Sequence, residues 1–336
     1  MLVFAFLFTT IFLQAVDYIE RYMRSRALGV VLIITSVIII AATFVGSFIS
    51  NLGSQIKLFV QKIQREDFAT SIEDLSLGIK NYLPEGFANM IPESEKLILV
   101  AKNSMLEVFQ NVLSLLGSAG SFFFVAFMIL IFTIILLIEY HDFKRSLVRF
   151  IPNKYLEVGL RMIYNIEQQI SKYLRGQILA ASSVAILSII GLFILNYFGA
   201  NITLIVFIGI IAGLANLIPM VGPFIGMIPA VLIALMNNVG NDIALNHQMF
   251  NVIPSPFYVL DIILMFIVVQ QIDNNFITPL VVGESVGLHP MAVMLVLLIG
   301  GTLIGPLGML FAIPVAGVLK VVLSEIIFVT KNSHLL

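Results

Sequence analysis

Apolar residues run through this chain in long blocks, and polar residues gather between them. Residues 2–16 are apolar and end at Asp17, Glu20, Arg21, Arg24 and Arg26. This run is short for a membrane span, and with no basic start or small-residue cleavage site it does not read as a signal peptide. Ala27 to Ile49 forms a clear span. Its many β-branched residues do not make it a strand, because a lone spanning segment must satisfy its own backbone hydrogen bonds. Gly117 to Ile138 and Gln177 to Tyr197 predict further spans. Asn201 to Leu217, Phe224 to Leu235, Phe257 to Gln270, Met291 to Leu303 and Met309 to about Leu323 are apolar too. Several of these fall short of the roughly 20 residues a span needs, and Gly and Pro interrupt them.

Two stretches break the pattern. Residues 51–116 carry six Lys/Arg and eight Asp/Glu. Leu52, Ile56, Phe59 and Ile63 fall on one helical face, which predicts amphipathic helices outside the lipid. Residues 139–176 form a basic amphipathic connector with seven Lys/Arg. The expected organisation is therefore N-terminal spans over 1–50, an extramembrane helical segment over 51–116, and a transmembrane core over 117–330. The fold class is all-α: a polytopic transmembrane helical protein with broken or re-entrant helices. Lys and Arg cluster in the 17–26 and 139–176 connectors and are absent from 198–202 and 238–256. The first pair then faces the cytoplasm. Tyr18, Tyr22, Tyr140, Tyr155, Tyr164 and Tyr173 gather on that side as an expected interfacial belt.

Composition sharpens this picture. Of the 336 residues, 60% are hydrophobic and 11% charged, where a soluble domain is about a quarter charged. A net charge of −1 gives nucleic acid nothing to hold. The absence of cysteine excludes disulfides, thiolate metal sites and a cysteine nucleophile. His141, His247, His289 and His334 are scattered, so no metal-binding pair emerges. Without a Gly-rich phosphate loop ending in Gly-Lys-Ser/Thr, ATP-driven transport by this chain is not expected. No enzyme signature and no cofactor motif is present.

Four stretches concentrate the candidate chemistry. Arg175, Gly176 and Gln177 sit at the inner mouth of a span. Asn216 to Gly226, with Pro219, Gly222 and Pro223, forces backbone groups free at membrane depth. Two readings stand for it: a tight hairpin between short helices, or a break lining a pathway. Gln271, Asp273, Asn274 and Asn275, followed by Pro279, end an apolar helix. They lie either in the headgroup zone or against a substrate. His289-Pro290 precedes a second Gly/Pro-rich stretch at Gly300, Gly301, Gly305, Pro306 and Gly308. The segment Ile211 to Ala230 can be laid over Ile299 to Pro314, which predicts an inverted pair of breaks. Asp261 and Asp273 are the candidate ion or proton carboxylates. Asp261 sits one turn inside its segment, and reaching the interface is the competing reading. Lys320 is either mid-helix or snorkels at the inner rim.

At Tyr173-Leu-Arg-Gly-Gln177, Asn216-Leu-Ile-Pro219, Val221-Gly-Pro-Phe-Ile-Gly226, Gln271-Ile-Asp-Asn-Asn275, Pro279-Leu-Val-Val-Gly283, Leu288-His-Pro290 and Gly308-Met…Ala312-Ile-Pro314, the chain resembles the autoinducer-2 exporter family of bacterial permeases. The order and spacing of these motifs agree over about residues 20–325. The resemblance implies about eight spans, a bacterial inner membrane, and an extramembrane helical segment. It also implies that the usual first span is missing or truncated, and Glu284 stands where a basic residue is common. Some members are associated with export of the autoinducer-2 signal and others with sodium/proton antiport. The expected function is a secondary permease for a small polar solute, with Arg175 holding an inner gate through Asp273. Sodium/proton antiport is the first alternative, and a non-transporting partner-binding protein the second. Expected partners are the lipid bilayer, a small-molecule or ion substrate, and further copies of the chain.

Overall fold

The computed structural model describes residues 2–63, 96, 99, 103, 107, 119–218, 221–238, 241–250, 252–279 and 287–331. Most of the 51–116 segment, together with Pro219 and the 280–286 stretch that holds Glu284, lies outside the described residues. The helices are α1 (Leu2–Met23), α2 (Arg26–Ile63), α3 (Ala119–Arg149), α4 (Leu156–Tyr197), α5 (Ile205–Ala215), α6 (Gly222–Asn238), α7 (Val259–Ile272), α8 (Pro290–Ile304) and α9 (Pro306–Lys331). A two-residue strand pair, Gln248–Met249 with Ile253–Pro254, caps the loop before α7. Among the described residues, five helical stretches are long and apolar enough to cross a membrane. The architecture is that of an all-α polytopic membrane protein.

Three expected boundaries shift. The apolar run at 2–16 continues helically through its charged end, so α1 is 22 residues long rather than a short fragment. Likewise α2 passes through position 51 without a break, and Leu52 packs against the main core. The 139–176 connector is not a separate piece. It is the ends of α3 and α4, joined by a turn at Pro152 and a 3-10 turn at Asn153–Tyr155. Loss of hydropathy marks where a helix leaves lipid, not where it stops, and no proline interrupts residues 153–218. At 42 residues α4 is about 60 Å long, twice the hydrocarbon thickness of about 30 Å. Tyr140 and Lys144 of α3 hold its outer half by hydrogen bonds to Glu167, at 2.9 and 2.7 Å.

Arg26 ties the first three helices together. Its guanidinium donates to Asp17 at 2.9 Å, to Glu20 at 2.8 Å and to the Leu137 carbonyl at 2.6 Å. It also lies 3.2 Å from the His141 ring. Asp17, Glu20 and His141 have the spacing of a metal-ligand set. The guanidinium already compensates their charge, so the cluster is a structural ion-pair hub.

The remaining helices gather along α4. Gly213 of α5 meets Ala181 and Ala185, and Gly209 meets Ala185 and Ile189. The sequence numbers run in opposite directions, so α5 is antiparallel to α4. Gly222 and Gly226 pack α6 back onto Ala212. At 11 and 17 residues, α5 and α6 are about 16 and 25 Å long, so they form a hairpin too short to cross twice. A second hairpin, α8–α9, turns at Gly305, whose φ of 71° suits glycine, and closes through Gly300 against Gly308. At its far end α9 meets α4 antiparallel, with Glu325 on Asn165 and Arg161. The two turns therefore point toward opposite ends of α4, the sense that the expected inversion requires. Pro229 and Pro314 lie inside α6 and α9 and free the carbonyls of Ile225 and Leu310.

The glycine contacts generate a prediction. A Cβ on Gly213 would sit 2.6 Å from the Ala181 carbonyl oxygen and the Ala185 Cβ. Gly213→Val is expected to cost about 1–3 kcal/mol or more in thermal or denaturant unfolding of the purified protein. Gly46, with nothing within 4 Å of its Cβ position, should tolerate Ala without loss. Equal effects at the two positions would refute this account of α4–α5 packing.

Candidate functional site: a buried polar seam around Asp273

The seam forms where α4, α5 and α7 meet. The α5 helix ends at Asn216, so the Asn216 carbonyl has no intrahelical partner. Gln177, on the buried face of α4, supplies one: its Nε2 donates to that carbonyl at 2.6 Å. The Asn216 side chain then donates from Nδ2 to Asp273 Oδ2 at 3.3 Å. Thr278 donates to Asp273 Oδ1 at 3.2 Å. Asp273 opens a five-residue π-helical run, Asp273–Ile277, that ends α7. Such wide turns recur at functional sites, because they aim a side chain that a regular helix would place elsewhere.

Asp273 and Asn216 are each 1% exposed, and Gln177 is 3% exposed. Among the described residues, the carboxylate therefore has neutral donors and no cation. Among the described residues, Gln177 Oε1, Asn216 Oδ1, Gln270 Oε1 and the Tyr173 hydroxyl are buried without a hydrogen-bond partner. Flipping the Gln177 or Asn216 amide does not relieve this, because each nitrogen already faces an oxygen acceptor. Orphaned buried groups are rare in native proteins, and their gathering with a buried carboxylate makes this seam the candidate site. Gly222 makes room for the Asn216 side chain, since a Cβ there would lie 2.5 Å from Asn216 Cβ.

The structure divides the sequence-derived candidates. Gln177, Asn216 and Asp273 come together, with Gly176, Gly222, Pro223 and Gly226 buried around them. Asn274 lies next to the seam and accepts a hydrogen bond from Gln270 at 2.9 Å. Gln271 and Asn275 face outward and pair with each other at 3.1 Å. Pro279 is exposed just beyond the π-helical run. His289 caps α8, accepting from the Met291 amide at 3.3 Å, and Pro290 takes the first helical position. Arg175 is exposed and makes no ion pair with Asp273, which corrects the expected gate. Residues 175 and 177 lie about 200° apart around a helix, so only one of them can face Asp273. Asp261 belongs to a different place. It sits in the first turn of α7, 12 residues before Asp273, where it accepts the Ser255 hydroxyl at 2.5 Å and lies 3.4 Å from His247.

Three side chains that the sequence reading placed in its motif stretches, but not among the candidate site residues, join the buried polar set. Tyr173 is expected in an interfacial belt, yet it is 1% exposed and sits in the core. Its position four residues before Gln177 puts it on the same buried face, which was the available signal. Gln270 lies one turn before Asp273 on the same side of α7, while Thr278, five residues on, reaches that side through the widened helix.

The seam predicts a stability contrast. Asn216→Leu removes a donor from a buried carboxylate and should cost about 1–3 kcal/mol in thermal unfolding. Ser188 carries a buried hydroxyl without a partner among the described residues, so Ser188→Ala should be neutral or stabilising. The reverse order would contradict the assigned hydrogen bonds.

Comparison with known proteins meets this geometry from another side. YueF of Bacillus subtilis strain 168, named as a candidate transport protein, is 31% identical over 191 residues, 57% of this chain and 46% of YueF. YrrI of the same organism, named likewise, is 27% identical over 256 residues, 76% of this chain and 66% of YrrI. YhhT of Escherichia coli K12, a third candidate transport protein, is 30% identical over 113 residues, 33% of this chain and 28% of YhhT. The chain thus spans less than two thirds of each of these relatives. The family model for AI-2E family transporters matches residues 1–328. With nearly its whole length matched and its apolar helices arranged as a polytopic bundle, the chain belongs to the AI-2E family of membrane transporters.

Proposed function

We propose that this transporter is a secondary permease for a small polar solute, and that the solute passes the seam at Gln177, Asn216 and Asp273. One observation supports this reading: a buried carboxylate shares the seam at the end of the α5–α6 hairpin with amide oxygens that have no partner among the described residues. Polar groups at membrane depth are costly unless a ligand or water completes them. The oxygens would accept hydrogen bonds from hydroxyl or amine groups of the solute. The glycines at 222 and 226 give the hairpin room to shift, and Pro229 leaves a backbone carbonyl for transient contact. Autoinducer-2 is one solute that the family resemblance suggests.

Sodium/proton antiport is the second reading, and the surroundings of Asp273 favour it. Among the described residues its carboxylate has no cationic partner, so a sodium ion or a proton would compensate its charge. The neighbouring amide oxygens are the hard ligands a sodium ion takes. Asp261 is a weaker candidate, because His247 and Ser255 already engage it.

The natural absence of cysteine makes a direct test simple. Single cysteines at Gln177 and Asn216 should react with a small membrane-impermeant thiol reagent, and one at the core position Ala212 should not. Failure at both polar positions would mean a solid core and remove the pathway. Sodium-driven proton flux in proteoliposomes separates the two readings. Flux present in wild type, lost in Asp273→Asn and kept in Asp261→Asn selects antiport. No flux from folded, inserted protein leaves the small-solute permease.

A further inference from the structure

A second site lies away from the seam, in a groove between α4 and α7 at the end opposite the basic connector. It is a cavity of about 630 Å³, within the range of ligand sites. Leu187, Ile190, Ile194 and Phe198 line it from α4, at i, i+3, i+7 and i+11. Leu264, Val268 and Ile272 of α7 face them at i, i+4 and i+8. The two helices are antiparallel: Gly191 meets Met265, and the Tyr258 hydroxyl, at the start of α7, donates to the Phe198 carbonyl at 3.1 Å. His247, Tyr258 and Asp261 form the polar end of the groove. We infer that this groove holds one acyl chain of a phosphatidylethanolamine molecule, with the lipid ammonium on Asp261. The inference does not rest on transport through the seam.

Length and exposure point to a lipid tail. From residue 187 to residue 198 the α4 stripe covers about 16 Å, close to one leaflet of a hydrocarbon core about 30 Å thick. Ile190, Ile194, Leu264 and Val268 are exposed, so the groove opens sideways along its length. Its α7 wall belongs to the apolar span Pro256–Ile277, where the surrounding medium is lipid. Apolar space of this kind stays dry, and a linear hydrocarbon chain matches both its length and its lining.

Charge selects the headgroup. Asp261 accepts the Ser255 hydroxyl, and among the described residues no other hydrogen bond reaches its carboxylate. His247 Nε2 lies 3.4 Å away without hydrogen-bond geometry, and the imidazole carries charge only when protonated. No Lys or Arg is among the described residues that line the groove. The carboxylate thus offers both its charge and acceptor lone pairs to what lies there. An ammonium with N–H groups takes up both, whereas a trimethylated headgroup brings the charge without a donor. The polar end is also preformed. The His247 ring stacks on Tyr258 with centroids 3.8 Å apart, and the Ser255 amide donates to the His247 carbonyl at 2.9 Å. Little ordering is then left for the lipid to impose.

The test uses the full chain in detergent micelles and follows its thermal midpoint during titration with lipid. The probes are phosphatidylethanolamine and phosphatidylcholine with identical acyl chains. Wild type should show a saturable rise with phosphatidylethanolamine and bind phosphatidylcholine about tenfold more weakly. Asp261→Asn should abolish that preference. Because Asp261 also holds Ser255, this variant can lose stability for that reason alone, so a second variant leaves the acid in place. Val268→Trp fills the groove from an exposed position; it should keep the ligand-free midpoint and lose the response to phosphatidylethanolamine. Ile186→Trp, equally exposed on α4 but outside the groove, should respond as wild type does. Equal affinity for the two lipids, a preference that survives Asp261→Asn, or an undiminished response in Val268→Trp overturns the proposal. So does a midpoint that rises with protein concentration and not with lipid, which would place a second copy of the chain on this face.

Discussion

A buried carboxylate held by neutral donors is the constraint around which the described core of this protein is arranged. Asp273 is surrounded by neutral donors, and its burial has to be offset by the groups that α4, α5 and α7 bring to it. Each of those groups depends on a helix that stops or widens at the right place. Asn216 is available because α5 ends there, and Thr278 because α7 opens into a π-helical run. Gln177 joins the two by occupying the carbonyl that the end of α5 leaves open. The polar seam is thus a product of broken helices. A bundle of unbroken spans would have hidden the same backbone groups and left no such place.

Glycine makes the breaks affordable. Gly209, Gly213, Gly222 and Gly226 lie where backbone meets backbone across α4, α5 and α6, and Gly300 meets Gly308 in the second hairpin. Apolar side chains gain little from burial against one another in lipid, since lipid is as apolar as they are. Close backbone approach then supplies the dispersion contacts that hold short helices in place. The opposed directions of the hairpin turns give the bundle two breaks of similar make-up facing different ways. That arrangement suits a site reached alternately from each side.

Much of this was legible in the sequence, and the failures have identifiable causes. Hydropathy marked every apolar helix, because lipid demands long apolar runs. It misplaced the ends of α1, α2 and α4, because hydropathy reports the solvent around a helix and helical hydrogen bonding continues past the lipid. Gly and Pro marked both hairpins, because only those residues allow the turns and close contacts. Gln177, Asn216 and Asp273 were singled out by being polar at apolar depth, but the sequence could not say which of their neighbours join them. Gln271 and Asn275 share the same polar stretch and turn outward, because each lies two residues from Asp273 and so on the other side of the helix. Arg175 looked like a partner for that aspartate on charge alone, and helical phase keeps the two apart. Tyr173 resembled the surface tyrosines by composition and differs from them by face.

The most direct measurement is a map of the protein in lipid nanodiscs at a resolution that shows ordered water and ions, with attention to the space between Asp273, Asn216, Gln177 and Gln270. The account predicts ordered non-protein density within hydrogen-bonding or coordination distance of the Asp273 carboxylate and of at least two of the unpaired oxygens. A dry, closed site in which those oxygens find protein donors would contradict it.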